Sequence, residues 1–200
     1  MELIVGTDST WSVRAWICLQ LVNIDVSEQV IDLGSANYKS DILKYSSVGL
    51  VPVLIDETLV IHDSLAITEY INESSNGGLY PRNIKDRALA RSLCAEMHSG
   101  FSSLRNQCPF TLKHIVNNVE ISSALSNELT RVEAIFELAE GPYMFESASA
   151  VDAFYSILAF RLKSYGFIFE GKAGEYQYSL LNWSLLKKAI TQAKHWESAS

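Results

Sequence analysis

Short apolar runs and helically spaced apolar stripes take turns along the first third of the chain. Glu2–Gly6 is an apolar run of strand type, and Thr10–Val22 carries Val13, Trp16, Ile17 and Leu21 at helical spacing, so a β-α pair opens the chain. Glu28–Leu33 reads as a second strand and Tyr38–Tyr45 as a short helix. Val51–Ile55 and Thr58–His62 read as the arms of a hairpin turned by the acidic pair Asp56-Glu57. Asp63-Ser64 stands directly before Leu65, Ala66, Ile67, Tyr70 and Ile71. Asp and Ser at that place accept bonds from the free N–H groups of a helix start, so another helix begins there. The expected order is βαβαββα.

Asn76-Gly77-Gly78-Leu79-Tyr80-Pro81 is the densest turn cluster, and after it the period is helical: Arg87–Asn106, Leu112–Glu140, Ser149–Tyr165 and Ser179–Glu197. Ser149-Ala150-Val151-Asp152 is an S-x-x-D start, in which the serine takes a bond from the N3 amide while the aspartate reaches back to the N-cap amide. The expected organisation is a mixed α+β domain over residues 1–77, a linker over 78–84 and an all-helical domain over 85–200. No repeat of 20–50 residues interrupts it.

Composition narrows the classes. With 48% apolar and 20% charged residues the chain is a folded globular one. Its net charge of −7 repels phosphate backbones and anionic lipid surfaces, so neither nucleic acid nor membrane is an expected partner. Cys18, Cys94 and Cys108 are widely spaced and form no C-x-x-C pair, which speaks against a disulfide framework or a zinc site and for a reducing compartment, the cytoplasm. No leader for export and no apolar run of about 18 residues is visible. The histidines are scattered, so neither a metal triad nor a Ser-His-Asp arrangement is expected, and no metal.

Candidate chemistry begins at Asp8-Ser9-Thr10-Trp11-Ser12-Val13-Arg14-Ala15-Trp16. A strand handing over to a helix leaves free N–H groups and a positive dipole end, a place that suits an anion. Two readings of the hydroxyls stand side by side: Ser9 or Thr10 caps the helix, or one of them stabilises a bound thiolate. Asp63-Ser64 offers the same pair of readings at the later helix, a cap or an anion-binding hydroxyl with amides beside it.

The arrangement resembles the cytosolic glutathione S-transferases. The residues that carry the resemblance are Ser9-Thr10-Trp11-Ser12-Val13-Arg14, Val51-Pro52-Val53-Leu54, His62-Asp63-Ser64-Leu65-Ala66-Ile67-Thr68-Glu69-Tyr70-Ile71 and Ser149-Ala150-Val151-Asp152-Ala153-Phe154-Tyr155. With Phe160-Arg161-Leu162-Lys163-Ser164-Tyr165-Gly166 they are most similar to a bacterial zeta-like, serine-type branch. The resemblance implies a thioredoxin-like first domain, glutathione as co-substrate, and a homodimer. It implies Ser9 as the thiolate-stabilising residue with Thr10 as its neighbour, and a cis Val51-Pro52 bond that turns the Val51 backbone toward the cysteinyl moiety. Asp63 and Ser64 then hold the γ-glutamyl end, and, with Leu50 in place of the family's polar residue, Lys39 or Lys44 is left to meet the glycyl carboxylate. A hydrophobic electrophile would sit against Trp11, Phe101, Arg105 and Tyr165. The implied activity is conjugation of glutathione to an electrophile, of the detoxification kind, or isomerisation of the maleylacetoacetate type. Trp11 stands where the isomerase subgroup tends to have cysteine, and Leu50 stands where relatives place a hydrogen-bonding Lys or Gln. The alternative is a non-catalytic transferase-fold module that binds protein.

Overall fold

The computed structural model describes residues 1–113, 115 and 119–198. The chain divides into two compact units, one formed by Met1–Leu79 with the residues from Lys187 onward, the other by Tyr80–Leu186.

The first unit contains β1 (Glu2–Gly6), α1 (Thr10–Leu21), β2 (Ser27–Ile31), α2 (Tyr38–Leu43), β3 (Val53–Asp56), β4 (Leu59–His62) and α3 (Ser64–Ser74). This is the βαβαββα order expected from the sequence. The strands form one mixed sheet in the order β2-β1-β3-β4, with β1 parallel to β2 through the α1 crossover and antiparallel to β3, which pairs antiparallel with β4. The period of two sorts the strand side chains. Ile4, Ile31 and Val53 point to the face where Ile42 of α2 packs with Tyr38, Leu33 and Tyr45. Leu3, Val5 and Leu54, equally buried, point the other way, toward the face covered by α1 and α3, which pack on each other and bury Val13, Ile17, Ile67 and Ile71.

The C-terminal part of α9 (Ser184–Ser198) belongs to this unit and is held by one carboxylate. Glu28 on β2 accepts from the Trp16 indole at 2.6 Å, from the Trp196 indole at 2.6 Å and from the Gln192 amide at 2.8 Å. Hydrogen bonds to an ionised acceptor are the stronger kind, so this one side chain ties α1, β2 and α9 together.

The second unit contains α4 (Ile84–Ser99), α5 (Ser102–Gln107), α6 (Ser123–Phe136), α7 (Ala150–Ser164) and α8 (Gly171–Asn182). The helix α7 packs against α4 and α8, and nearly every side chain along it is buried. Its start is the capping box read from Ser149 and Asp152, extended by two further donors. The buried Asp152 carboxylate accepts from the Met144 amide at 2.8 Å, the Ser149 amide at 2.8 Å, the Ser149 hydroxyl at 2.9 Å and the Tyr176 hydroxyl at 2.8 Å. Burial nevertheless pushes its carboxyl above the ordinary range. Around Phe136 the rings of Tyr155, Phe169 and Tyr176 pack edge-on, with centroids 6.1, 5.7 and 5.1 Å away.

Three helices differ from the expectation. The stripe at Arg87–Asn106 is two helices, because α4 ends at Gly100 and Phe101 takes a left-handed conformation (φ 58°) before α5. A Cβ at Gly100 would stand 2.7 Å from the Glu96 carbonyl oxygen, so the chain leaves the helix where only glycine fits. In place of one helix over Leu112–Glu140, α6 starts at its own N-cap, Ser122, whose hydroxyl accepts from Leu125 N at 3.2 Å, and ends at Phe136; His114 and Val116–Asn118 lie outside the described residues. The stripe at Ser179–Glu197 breaks at Trp183, whose extended backbone (ψ 125°) separates α8 from α9.

Candidate functional site

Strand register brings the first unit's candidate residues to one edge of the sheet. Ile4 pairs with Val53 and Val53 with His62, so the end of β1 at Gly6, the approach to β3 at Val51-Pro52 and the exit of β4 at Asp63 share that edge. The closeness of Gly6 to Val51 is direct: a Cβ on Gly6 would meet the Val51 side chain at 2.8 Å. The Val51-Pro52 bond is cis, and Val51 lies outside the paired register. Both α1 and α3 begin at this edge, so two positive helix ends face it.

The hydroxyls at the start of α1 divide into two kinds. Ser9 is the N-cap, and its oxygen accepts from Ser12 N at 3.2 Å. The Ser12 hydroxyl accepts from Gly6 N at 3.1 Å, which locks the strand-to-helix turn. Thr10, between them, is buried and its hydroxyl has no hydrogen-bond partner. At the second helix, Asp63 is the N-cap and accepts from Leu65 N at 2.8 Å and Ala66 N at 3.2 Å, with its own backbone in the left-handed half of the map (φ 77°). Such a conformation is costly for a residue other than glycine. Ser64 follows it, fully buried, and its hydroxyl also lacks a partner. Buried polar atoms are nearly always paired, so two orphan hydroxyls on the first turns of two helices at one sheet edge mark a place built for something that accepts hydrogen bonds.

Other residues near this edge have settled roles. The Thr68 hydroxyl donates to the Ser64 carbonyl at 2.8 Å, and its oxygen lies 3.6 Å from the Cys18 sulfur. Burial pushes the Cys18 thiol up to about 12, with that hydroxyl and Arg14 opposing, so Cys18 is an inert core thiol at neutral pH. Trp11 is 37% exposed, the one tryptophan of the four that is not buried, and the Arg14 guanidinium stands 5.8 Å from its ring centroid. Lys39 is exposed on α2 and has no hydrogen bond to any residue of the edge. Leu50, beside Val51, is 64% exposed. Ser12 and the Thr7 hydroxyl, which accepts from Leu33 N at 3.0 Å, were not singled out from the sequence; the Ser9-x-x-Ser12 spacing is the one signal that pointed to the former.

The remaining candidates lie in the second unit. Phe101 is buried at the start of α5. The Arg105 guanidinium donates to the carbonyls of Gly100 at 2.9 Å, Met97 and His98, closing the end of α4. The Tyr165 hydroxyl donates to the Pro109 carbonyl at 2.8 Å. The structure therefore groups Phe101 with Arg105 on one helix and ties Tyr165 to the chain just beyond it. Among the described residues, no group of three or more His, Cys, Asp or Glu is placed to hold a metal ion, and no helix is long and apolar enough to cross a membrane.

Residues 8–74 match the family described as glutathione S-transferase, N-terminal domain. The chain is 35% identical over 98 residues to the probable maleylacetoacetate isomerase of Caenorhabditis elegans, covering 48% of this chain and 45% of that one. It is 30% identical over 121 residues to glutathione S-transferase Z1 of Arabidopsis thaliana, covering 59% and 55%. It spans about half the length of these curated relatives. Over nearly all of its length it superposes on a glutathione transferase homologue from Burkholderia gl BGR1 solved with bound glutathione, with a TM-score of 0.72, 19% identity and 97% of each chain covered. The chain has the glutathione S-transferase fold. Its residues 8–74 match the glutathione S-transferase N-terminal domain, and the relatives it resembles over about half their length are named as a glutathione S-transferase Z1 and a probable maleylacetoacetate isomerase.

Proposed function

We propose that the chain is a glutathione transferase, which holds the glutathione thiol as thiolate at the sheet edge for attack on, or isomerisation of, a hydrophobic electrophilic small molecule. The observation that carries this reading is the pair of buried, unpartnered hydroxyls of Thr10 and Ser64 on the first turns of α1 and α3. Glutathione is rich in acceptors: two carboxylates, two amide carbonyls and, when ionised, sulfur. Ser64 and the first amides of α3 donate to the γ-glutamyl carboxylate, while Asp63 attracts its ammonium. The Val51 backbone, outside the sheet register, pairs with the cysteinyl unit as one more rung. Lys39 is the cation assigned to the glycyl carboxylate.

Ser9 is the assigned catalytic residue. Its oxygen already accepts from Ser12 N, so its own proton points away from that bond and donates to sulfur. A free thiol ionises near pH 8.5, and one hydroxyl donor with a helix N-terminus lowers that by about one to two units. Thr10, its neighbour, is the second donor in reach of the same helix end. Trp11 gives the electrophile an exposed aromatic face; within the helical unit the candidates for that role are Phe101, Arg105 and Tyr165. The chain acts as a cytoplasmic homodimer, a reading supported by three free buried cysteines and by apolar side chains standing out on α4, Ile84 at 73% exposure and Leu89 at 41%.

Calorimetric titration with glutathione is the test of the binding reading, and ultraviolet titration of the bound thiolate is the test of the chemistry. Saturable heat is expected, and its absence at millimolar glutathione overturns the reading. Ser9→Ala is expected to raise the bound thiol by about one pKa unit with affinity little changed; an unshifted thiol in Ser9→Ala and a shifted one in Thr10→Ala exchange the two roles. Elution as one 22.3 kDa chain on gel filtration rejects the dimer.

A further inference from the structure

A second unsatisfied group lies in the helical unit, on α7. Arg161 is 5% exposed, and two of its guanidinium nitrogens, Nε and Nη1, are buried without a hydrogen-bond partner. The groups that act on it electrostatically are Arg105, Cys108 and Tyr165. None of them is a carboxylate, and the first is a second cation. Burial, with Arg105 beside it, pulls the Arg161 guanidinium down to about 10, which still leaves it charged at neutral pH. Glu128 acts on Arg105, but no carboxylate is among the groups that act on Arg161, and a buried cation left without one is an unfavourable arrangement in a protein interior. Arginine is also the side chain best suited to meeting a planar anion.

The surroundings provide a way in. An open cavity of about 720 Å³ is lined by Gln107, Pro109, Ser122 and Tyr165 among others. Tyr165 lies one helical turn after Arg161, on the same side of α7, and Cys108 sits between the wall residues Gln107 and Pro109. Arg161 is not itself a lining residue; its neighbours Tyr165 and Cys108 place the guanidinium behind that wall. The carboxylate on that wall, Glu120, is not among the groups that act on Arg161.

We propose that Arg161 is the receptor for a carboxylate anion, which enters from this cavity and supplies the missing counter-charge. The site lies within the helical unit and shares Tyr165 and the neighbourhood of Arg105 with the proposed electrophile residues, but its test needs no glutathione.

The test is thermal unfolding of the full chain without glutathione, in a zwitterionic buffer, against rising sodium formate, sodium acetate and sodium 4-phenylbutyrate. A saturable rise of about 3–5 °C is expected at ten times the dissociation constant. A response to formate and acetate alone assigns a small free anion, whereas a tighter response to phenylbutyrate assigns the carboxylate of a larger molecule seated in the cavity. Arg161→Met is expected to lose the response and to melt no lower than the parent chain in the absence of anion. Arg161→Lys, which keeps charge without the planar fork, is expected to need at least about five times more anion. An unresponsive parent chain overturns the proposal whatever the variants do, and so does an Arg161→Met variant that responds as the parent does.

Discussion

Removal of the Ser64 hydroxyl should move stability and affinity in opposite directions. Ser64 is fully buried on the first turn of α3, and its oxygen has no partner in the chain. An unsatisfied buried hydroxyl costs about 1–3 kcal/mol, part of which a methyl group recovers, and alanine also has the better helix propensity by up to about 0.5 kcal/mol. The cap of α3 is untouched, because Asp63 supplies it. Ser64→Ala is therefore expected to stabilise the ligand-free protein by about 1 kcal/mol, a rise of about 2–4 °C in Tm for a chain of this size. On the proposed function the same hydroxyl donates to a carboxylate in the bound state. Such a bond contributes about 1.5–3 kcal/mol, so the glutathione Kd should rise by about 10- to 150-fold. Differential scanning fluorimetry and calorimetric titration on the same preparation give both numbers. A variant that melts lower while binding glutathione as the parent does would make Ser64 a structural hydroxyl and refute the reasoning.

Further outcomes follow from buried groups outside that edge. Asp152→Ala leaves two amides and two hydroxyls without their acceptor and should cost about 3–5 kcal/mol, read as a drop of at least about 1 M in the urea midpoint; a change below about 1 kcal/mol would mean that the four bonds are replaced by water. Glu28→Ala should loosen the C-terminal helix before anything else. Amide exchange within residues 187–198 should quicken and Trp196 emission shift to the red, while an unchanged exchange pattern would show that α9 is held by packing alone. Cys18 gives a pH signature. Its thiol lies near 12 in the folded chain and near 8.5 when exposed, so its contribution is whole below pH 8.5 and is lost as pH rises toward 12, at up to about 1.4 kcal/mol per unit. A Cys18→Ala variant should show a flatter loss of stability over that window, and equal slopes would deny that burial governs this thiol.

How far the sequence reaches depends on whether a feature is local. The strands and α1 are readable because periods of 2 and 3.6 sort the same apolar residues that burial sorts. The caps at Asp63 and Ser149 are readable because a short side chain bonding its own next turn needs nothing distant. The break between α4 and α5 is not readable. Glycine is tolerated inside a helical stripe, and nothing in the composition announces that a phenylalanine will take φ 58°. The helix α8 hides for a different reason: Gly171 and Gly174 weaken its first turn, and Tyr178 stands 70% exposed, so its apolar stripe is thin. Arg161 reads as one polar residue in Phe160-Arg161-Leu162, and only the packing around α7 makes it a buried charge.

The site shows the same division. Ser9 and Thr10 are adjacent hydroxyls with equal claims to cap α1, and the backbone decides: Ser9 is extended (φ −95°, ψ 104°) and outside the helix, whereas Thr10 is already inside it. The cap spends the Ser9 acceptor and leaves Thr10 with nothing to bond, a choice that stability alone would not favour when an alanine could stand at position 10. Thr68, one layer deeper, shows the ordinary outcome, since its buried hydroxyl is fully engaged with Ser64 O and Cys18. Among the described residues of the first unit the unsatisfied hydroxyls, Thr10 and Ser64, lie at the edge where two helix N-termini meet the strand ends, and each has a proton to donate in a field that is already positive. An apolar or cationic ligand would leave that imbalance in place. An acceptor-rich anion removes it, which is the role the proposed function gives to ionised glutathione.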